Sequence, residues 1–273
     1  MNIRKQYLTL LYLLGKVSEG RTRLVDQNNS RLEDAEGLVV KFYFHSISVF
    51  YLWQGTIINC PPLPRIDCID VSSVTAVARA ALEAFLTFHH VFVAPTSKEV
   101  RDFRYWAWLL SGLCERQRFP VTESKHQEQK GNEKKMIEEL HSQLGRNPQF
   151  TKLSRSQKKN VKKGRWRLSG WKELARDTGL NELHASTIYG YLSGYAHSDS
   201  LSVLQVYHAQ PGNQQEKLTR IPVKTTMIAT ANMVFLYCDV FPGGKTVLDQ
   251  NPKETKIAQF WRALARGSTD AKG

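Results

Sequence analysis

Apolar residues recur along this chain mainly at helical spacing, with proline, glycine and asparagine separating the runs. Leucines at 8, 10, 11, 13 and 14 predict an amphipathic helix over residues 5–17, and the polar stretch 20–29 reads as a connection. Residues 32–55 hold Phe42, Tyr43, Phe44, Phe50, Tyr51 and Trp53; their length favours a buried helix, while the aromatic and β-branched content leaves a strand open. Pro61, Pro62 and Pro64 make 59–70 a loop, because proline lacks an N–H donor and steers its predecessor away from helix. Over 72–92, with Ser72 or Ser73 as cap, Val74, Val77, Ala81, Phe85, Phe88 and Phe92 share one face. Arg79, Glu83, Thr87 and His90 form a polar stripe opposite them. After Pro95, a helix starting at Thr96 or Ser97 runs to about residue 118, with Phe103, Trp106, Ala107, Leu110 and Leu113 inward.

The composition changes at Val121. From there to Gly164 large apolar residues thin out, so a solvated helix over 132–144 and then a basic linker are expected. Core-like sequence returns at Leu168, with a short helix over 171–178 stopped by Gly179 and a helix capped by Asn181 running towards Asp199. Residues 201–207 read as a short strand or extended run, 211–213 as a turn, 225–240 as the last core helix and 253–266 as a terminal amphipathic helix, the last seven residues fraying. The fold class predicted is all-α, an antiparallel helical bundle with a charged, basic insertion. Its parts are the N-terminal helices (1–120), the insertion and basic linker (121–170), the helices completing the bundle (171–245) and a terminal helix and tail (246–273).

A net charge of +13 favours an anionic partner: nucleic acid, an acidic protein or a membrane surface. Cys60, Cys68, Cys114 and Cys238 lack CxxC or zinc-finger spacing and read as thiols of a reducing cytoplasm. Arg4 and Lys5 precede a short apolar run, but Lys16 follows and no small-x-small cleavage site does, so a helix is expected there rather than a leader. No apolar run reaches the roughly 18 residues of a spanning helix, so no transmembrane segment is expected. Phosphate-binding glycine loops and the GxSxG elbow are absent, which removes the usual marks of nucleotide and serine hydrolysis.

Two segments carry candidate chemistry. Lys152, Arg155, Lys158, Lys159, Lys162, Lys163, Arg165 and Arg167 fall within sixteen residues, with Trp166 and Trp171 at their end. Cations neutralise phosphates and aromatic rings stack on unpaired bases, so these eight cations and Trp166 are the expected nucleic-acid contacts, part of the run ordering on binding. A solvated linker is the simpler alternative. The second segment is YGYLSGYAHSD, residues 189–199. On a helix Ser186, Gly190, Gly194 and His197 line one strip, with Ser193 beside His197. Each glycine costs about 1 kcal/mol relative to alanine, and close approach of a second helix is the expected reason. If that helix carries Arg79 and Glu83, then Glu83 orients His197, His197 acts as base or acid, and Arg79 holds a phosphate. A polar network that fixes helix register uses the same residues without chemistry. Glu123/His126 and Glu138/His141 repeat a Glu-x-x-His pattern in a stretch too polar to bury a metal, so neither metal nor cofactor is expected. His89 and His90 diverge on a helix, one towards the core and one towards the Arg79 stripe.

RAALE on one predicted helix with YxYLSGYAH on a later one resembles the HEPN-like class of bacterial all-helical proteins. More narrowly, the chain is similar to a poorly characterised family with an R-x-x-x-E helix and a Y-x-x-L-S-x-x-x-H helix. The matching residues are Arg79, Glu83, Tyr189, Leu192, Ser193 and His197, and the resemblance spans roughly 35–240 with the charged segment inserted. It implies a bundle that often dimerises and, in many members, a metal-independent ribonuclease of toxin–antitoxin or anti-phage systems. The class places an arginine four to six residues before the histidine. Ser193, Leu192 and Tyr191 stand there, and Arg79 is the arginine expected in that role.

The expectation is an RNA-binding protein whose Arg79, Glu83, Ser193 and His197 form the catalytic set of a metal-independent endoribonuclease. The alternative is a non-catalytic helical module that binds nucleic acid or a protein through the basic run. A third reading places that run and the terminal helix on a membrane surface.

Overall fold

A computed structural model describes residues 2–19, 30–62, 64–180, 182–209 and 214–266, and only the backbone of Ile58 and 182–186. The first elements are α1 (Ile3–Glu19), α2 (Ser30–Trp53), a two-stranded antiparallel ribbon of β1 (Thr56–Ile58) and β2 (Ile66–Cys68), and α3 (Val71–Phe88), which continues as a π-helical stretch His89–Val93. Next come α4 (Lys98–Arg116), α5 (Ser124–Arg146), α6 (Pro148–Thr151) and α7 (Arg155–Lys162). The chain ends with α8 (Trp171–Asp177), α9 (Glu182–Ala196), α10 (Ser200–His208), α11 (Gln214–Val240), α12 (Gly244–Gln250) and α13 (Pro252–Ala265). The fold is all-α. Residues 1–89 with 171–273 form one compact unit, and 90–170 form a second.

The first unit is built around α3, which packs on α2, α11 and α9. Asp70 starts α3: its Oδ1 accepts from the Ser73 N–H at 3.0 Å, so the cap lies just before the serines expected to supply it. Phe85 and Phe88 are fully buried, as is Phe42 of α2, whose ring lies 6.4 Å from that of Phe85. Each such side chain contributes roughly 1.5–3 kcal/mol on burial. The helical stretch Val71–Val93 is long and apolar enough to cross a membrane by length and composition alone, as a buried core helix also is; 11 of the 18 residues of α3 are buried within the protein. Hydrogen bonds tie helix α1 down, among them Tyr7 Oη donating to the Ser46 carbonyl at 2.9 Å and Trp261 Nε1 donating to Gln6 Oε1 at 2.7 Å.

The second unit has its own core. Phe103, Ala107, Leu110 and Leu113 of α4 meet Leu140 and Leu144 of α5, Phe150 of α6 and Val161 of α7. Helix α4 begins at Ser97, whose Oγ accepts from the Val100 N–H at 3.3 Å. The segment expected as a basic linker is instead a helix. Ser154 and Gln157 close a capping box at its start, and fully buried Val161 anchors it. The solvated helix expected over 132–144 extends over all of α5 and buries Leu140 and Leu144. Helix α4, which the periodicity groups with the N-terminal helices, belongs to this unit.

Other elements shift too. Residues 201–207 lie in α10 rather than a strand, because Asp199 caps them as a helix, its Oδ1 accepting from the Ser202 N–H at 2.8 Å. Helix α11 begins well before residue 225 and takes Pro222 into its interior. The terminal helix is divided into α12 and α13. The connection over 20–29, the Asn181 cap, the turn over 211–213 and the frayed last seven residues lie outside the described residues, as does the side chain of Ser186.

Candidate functional site

Between residues 81 and 88 of α3 every position is buried except Glu83, and Arg79 stands one turn earlier. Their side chains are 28% and 19% exposed, so each charge needs a partner. Arg79 Nε donates to Glu83 Oε1 at 3.0 Å. From α9, Tyr189 closes a triangle: its Oη accepts from Arg79 Nη2 at 3.0 Å and donates to Glu83 Oε1 at 2.9 Å. The guanidinium also lies 5.3 Å from the centre of the Tyr189 ring, and the Trp171 ring sits 6.1 Å from that ring.

The remaining contact reaches the end of α9. Arg79 Nη1 is 3.0 Å from His197 Nε2. Guanidinium nitrogens only donate, so Nε2 accepts, and His197 carries its proton on Nδ1. Three of the five guanidinium N–H groups are thereby engaged within the protein. The imidazole is exposed.

Burial alone would lower the Arg79 pKa, but the Tyr189 hydroxyl and the Glu83 carboxylate outweigh it and the net direction is up. Arg79 is a fixed positive charge. Burial and the Glu83 carboxylate together push the Tyr189 phenol up, so it stays neutral and can donate.

The backbone at the end of α9 fixes where His197 stands. The Asp199 N–H bonds to the Gly194 carbonyl at 3.1 Å and the Ser198 N–H to the Tyr195 carbonyl at 3.4 Å, a Schellman closure with Ser198 left-handed at φ 54°. The two glycines serve ends other than the one expected. Nothing lies within 4 Å of where a Gly190 Cβ would be, while a Cβ on Gly194 would run into the Asp199 carboxylate. Gly194 makes room for the residue that caps α10, not for a second helix.

Of the four residues expected to act together, Arg79, Glu83 and His197 meet. Ser193 is half-buried and offers its carbonyl to the His197 N–H at 3.0 Å. Among the described residues no side-chain hydrogen bond joins it to the other three. Tyr189 completes the cluster in its place. Its signal was spacing: Tyr189, Ser193 and His197 step by four along α9, as Arg79 and Glu83 do along α3. Leu192, also in the motif, is fully buried core. Thr87 is buried and donates to the Glu83 carbonyl at 2.7 Å, and the His90 ring lies tilted beside that of Trp166 in the second unit, their centres 5.8 Å apart, so neither belongs to the cluster.

In the second unit Lys152, Arg155, Lys159, Lys162, Lys163 and Arg165 are exposed, with no carboxylate partner among the described residues. Lys158 is half-buried and donates to the Thr151 carbonyl at 2.8 Å. Trp166 packs against the core of this unit, with Arg167 5.9 Å above its ring. Glu123 and His126 form an exposed pair at 3.6 Å, and His141 Nε2 donates to the Lys162 carbonyl at 3.2 Å. Among the described residues no group of three or more His, Cys, Asp or Glu is placed to hold a metal ion.

Fold and site together define an all-α protein in which a paired Arg–Glu on one helix is joined to a tyrosine and a histidine on another. The chain belongs to the DUF5677 family, a family of unknown function, whose profile matches residues 67–215. That span holds Arg79, Glu83, Tyr189 and His197, together with the whole second unit. No curated protein and no solved structure matches the chain.

Proposed function

We propose that this is an RNA-binding protein of HEPN-like type that cleaves RNA without a metal ion. The observation that carries the reading is the 3.0 Å approach of Arg79 Nη1 to His197 Nε2. It sets a permanent positive charge beside an exposed neutral imidazole, the two groups a phosphodiester needs for attack by its own 2′-hydroxyl. The phosphate takes the two guanidinium N–H groups left over from the internal bonds. His197 Nε2 leaves Arg79 and accepts the 2′-hydroxyl proton. The 2′-oxygen bonds to phosphorus, the bond from phosphorus to the 5′-oxygen breaks, and water protonates the departing oxygen. The products are a 2′,3′-cyclic phosphate and a 5′-hydroxyl. Glu83 and Tyr189 hold the guanidinium in place and touch no reacting atom. A role as a toxin or in anti-phage defence is the biological setting this chemistry fits.

The test incubates the purified chain with a mixed RNA pool in EDTA. Cleavage with cyclic-phosphate ends is expected for the wild type, a loss of at least about 100-fold for His197→Ala, and no cleavage of 2′-O-methyl RNA. Equal RNA survival with wild type and His197→Ala refutes the reading.

The closed Arg79–Glu83–Tyr189 triangle favours a second reading, in which the cluster is structural and the basic helix alone binds nucleic acid. Changing Lys158, Lys159, Lys162 and Lys163 together to glutamine should then abolish RNA binding and flatten its salt dependence. Binding that survives the four changes rejects this version.

A further inference from the structure

Around the end of α7 the second unit encloses a cleft of about 380 Å³, lined by Ser111, Gly164, Arg165, Trp166, Arg167 and Ser169. It lies within the range of small-molecule sites, roughly 300–1,000 Å³. A second cavity, an apolar void of about 20 Å³ in the first unit beside Leu82 and Ile188, holds little more than a water.

The cleft is built by local geometry. Helix α7 ends in a Schellman closure, with the Arg165 N–H bonded to the Asn160 carbonyl and the Gly164 N–H to the Val161 carbonyl, both at 2.9 Å. Gly164 is left-handed at φ 81°, and a Cβ there would meet the Cys114 Cβ at 2.8 Å. Glycine therefore lets the turn press against α4 and bring Ser111 into the wall. Past the turn, Trp166 packs on the core of the unit, between Arg165 and Arg167 in the chain.

Among the described residues the lining has two guanidinium groups, two hydroxyls and one indole, and no carboxylate. Residues 152–167 contain no acidic residue at all. Arginine forks match phosphate oxygens, and hydroxyls add donors. The volume leaves space beyond a phosphate, with an indole in the wall to receive a planar group.

We infer that this cleft binds a nucleoside monophosphate unit, its phosphate on Arg165 and Arg167 with Ser111 and Ser169 as further donors, and its base against Trp166. The unit can come from a free nucleotide or from the 5′-phosphorylated end of an RNA. The inference does not depend on cleavage at His197.

Isothermal titration of the full chain with AMP, adenosine, inorganic phosphate, and 5′-phosphorylated and 5′-hydroxyl oligoribonucleotides tests it. Binding of AMP is expected, with adenosine and phosphate each weaker by at least about tenfold. Arg165→Gln, at an exposed position, should weaken AMP about tenfold or more, and His197→Ala should leave it unchanged. Lys152→Gln, outside the cleft, should weaken the oligonucleotides and spare AMP. A preference for the 5′-phosphorylated over the 5′-hydroxyl oligonucleotide identifies an RNA end as the source; equal affinity of the two identifies the free nucleotide. Failure of AMP to bind at millimolar concentration, phosphate binding as tightly as AMP, or wild-type AMP affinity in Arg165→Gln each overturns the inference. AMP binding without RNA cleavage would leave the cleft standing and remove the ribonuclease reading.

Discussion

Replacing Tyr189 by phenylalanine deletes one oxygen and leaves the ring beneath the Arg79 guanidinium. That oxygen accepts from Arg79 Nη2 at 3.0 Å and donates to Glu83 Oε1 at 2.9 Å. Hydrogen bonds to charged groups contribute about 1.5–3 kcal/mol each. Arg79 and Glu83 remain 19% and 28% exposed, so water replaces part of what is lost. A destabilisation of about 1–2 kcal/mol follows, which for a unit of this size lowers Tm by about 2–8 °C. Glu83→Gln acts on the same triangle from the other side, because it leaves the Arg79 charge unmatched. Tyr189 and Glu83 share the Oε1 acceptor and the guanidinium, so their effects cannot be independent. Urea unfolding of the wild type, both single variants and the double variant should give a coupling of about 0.5 kcal/mol or more. Additivity to within about 0.3 kcal/mol would mean that the triangle is not closed in solution. The case for Arg79 as a rigidly held charge would go with it.

Ser198→Gly should stabilise the protein by about 1 kcal/mol, because a glycine adopts φ 54° without the Cβ penalty; a lower unfolding midpoint would contradict that account of the turn. Gly194→Ala should be nearly neutral in the wild type, since the helix propensity gained, about 1 kcal/mol, is offset by loss of the Asp199 cap, about 0.5–2 kcal/mol. In an Asp199→Ala background the same change should stabilise by about 1 kcal/mol, and equal effects in both backgrounds would rule out the proposed collision. Burial, followed by the Asp239 charge, pushes the Cys238 thiol from its ordinary 9.0 up to about 12. The folded state then holds this proton more tightly than the unfolded one, so the contribution is complete below pH 9 and is lost as pH rises towards 12. At pH 8 a thiol reagent should label exposed Cys60 quickly and Cys238 only on unfolding; rapid labelling of Cys238 in the native protein would overturn this.

Where one strong helical period runs through a segment, the sequence was legible. The α3 core face and its Arg79–Glu83 pair are in that class, as is the inward face of α4. The second core was not, because Phe150 and Val161 sit on separate short helices and become a cluster only once α4 and α5 bring Leu110, Leu140 and Leu144 to them. Composition over a window cannot register such a core. Helix α10 was misread because Val203, Val206 and Tyr207 favour a strand by type, whereas the Asp199 cap decides the local conformation. The site was half legible: spacing found Arg79, Glu83 and His197. The glycine strip runs one residue away from Tyr189, whose hydroxyl bonds to both Arg79 and Glu83. Gly194 looked like a contact surface and is a vacancy for a neighbouring carboxylate, which only the fold of 198–202 reveals.

The family match begins at β2 and stops just inside α11, yet α3 is wedged between α2 and the body of α11. An excised fragment with those limits would keep every cluster residue and strip Phe42 of α2 from Phe85. Anyone dissecting the cluster by truncation should therefore expect an insoluble product, and work instead with point changes in the intact polypeptide.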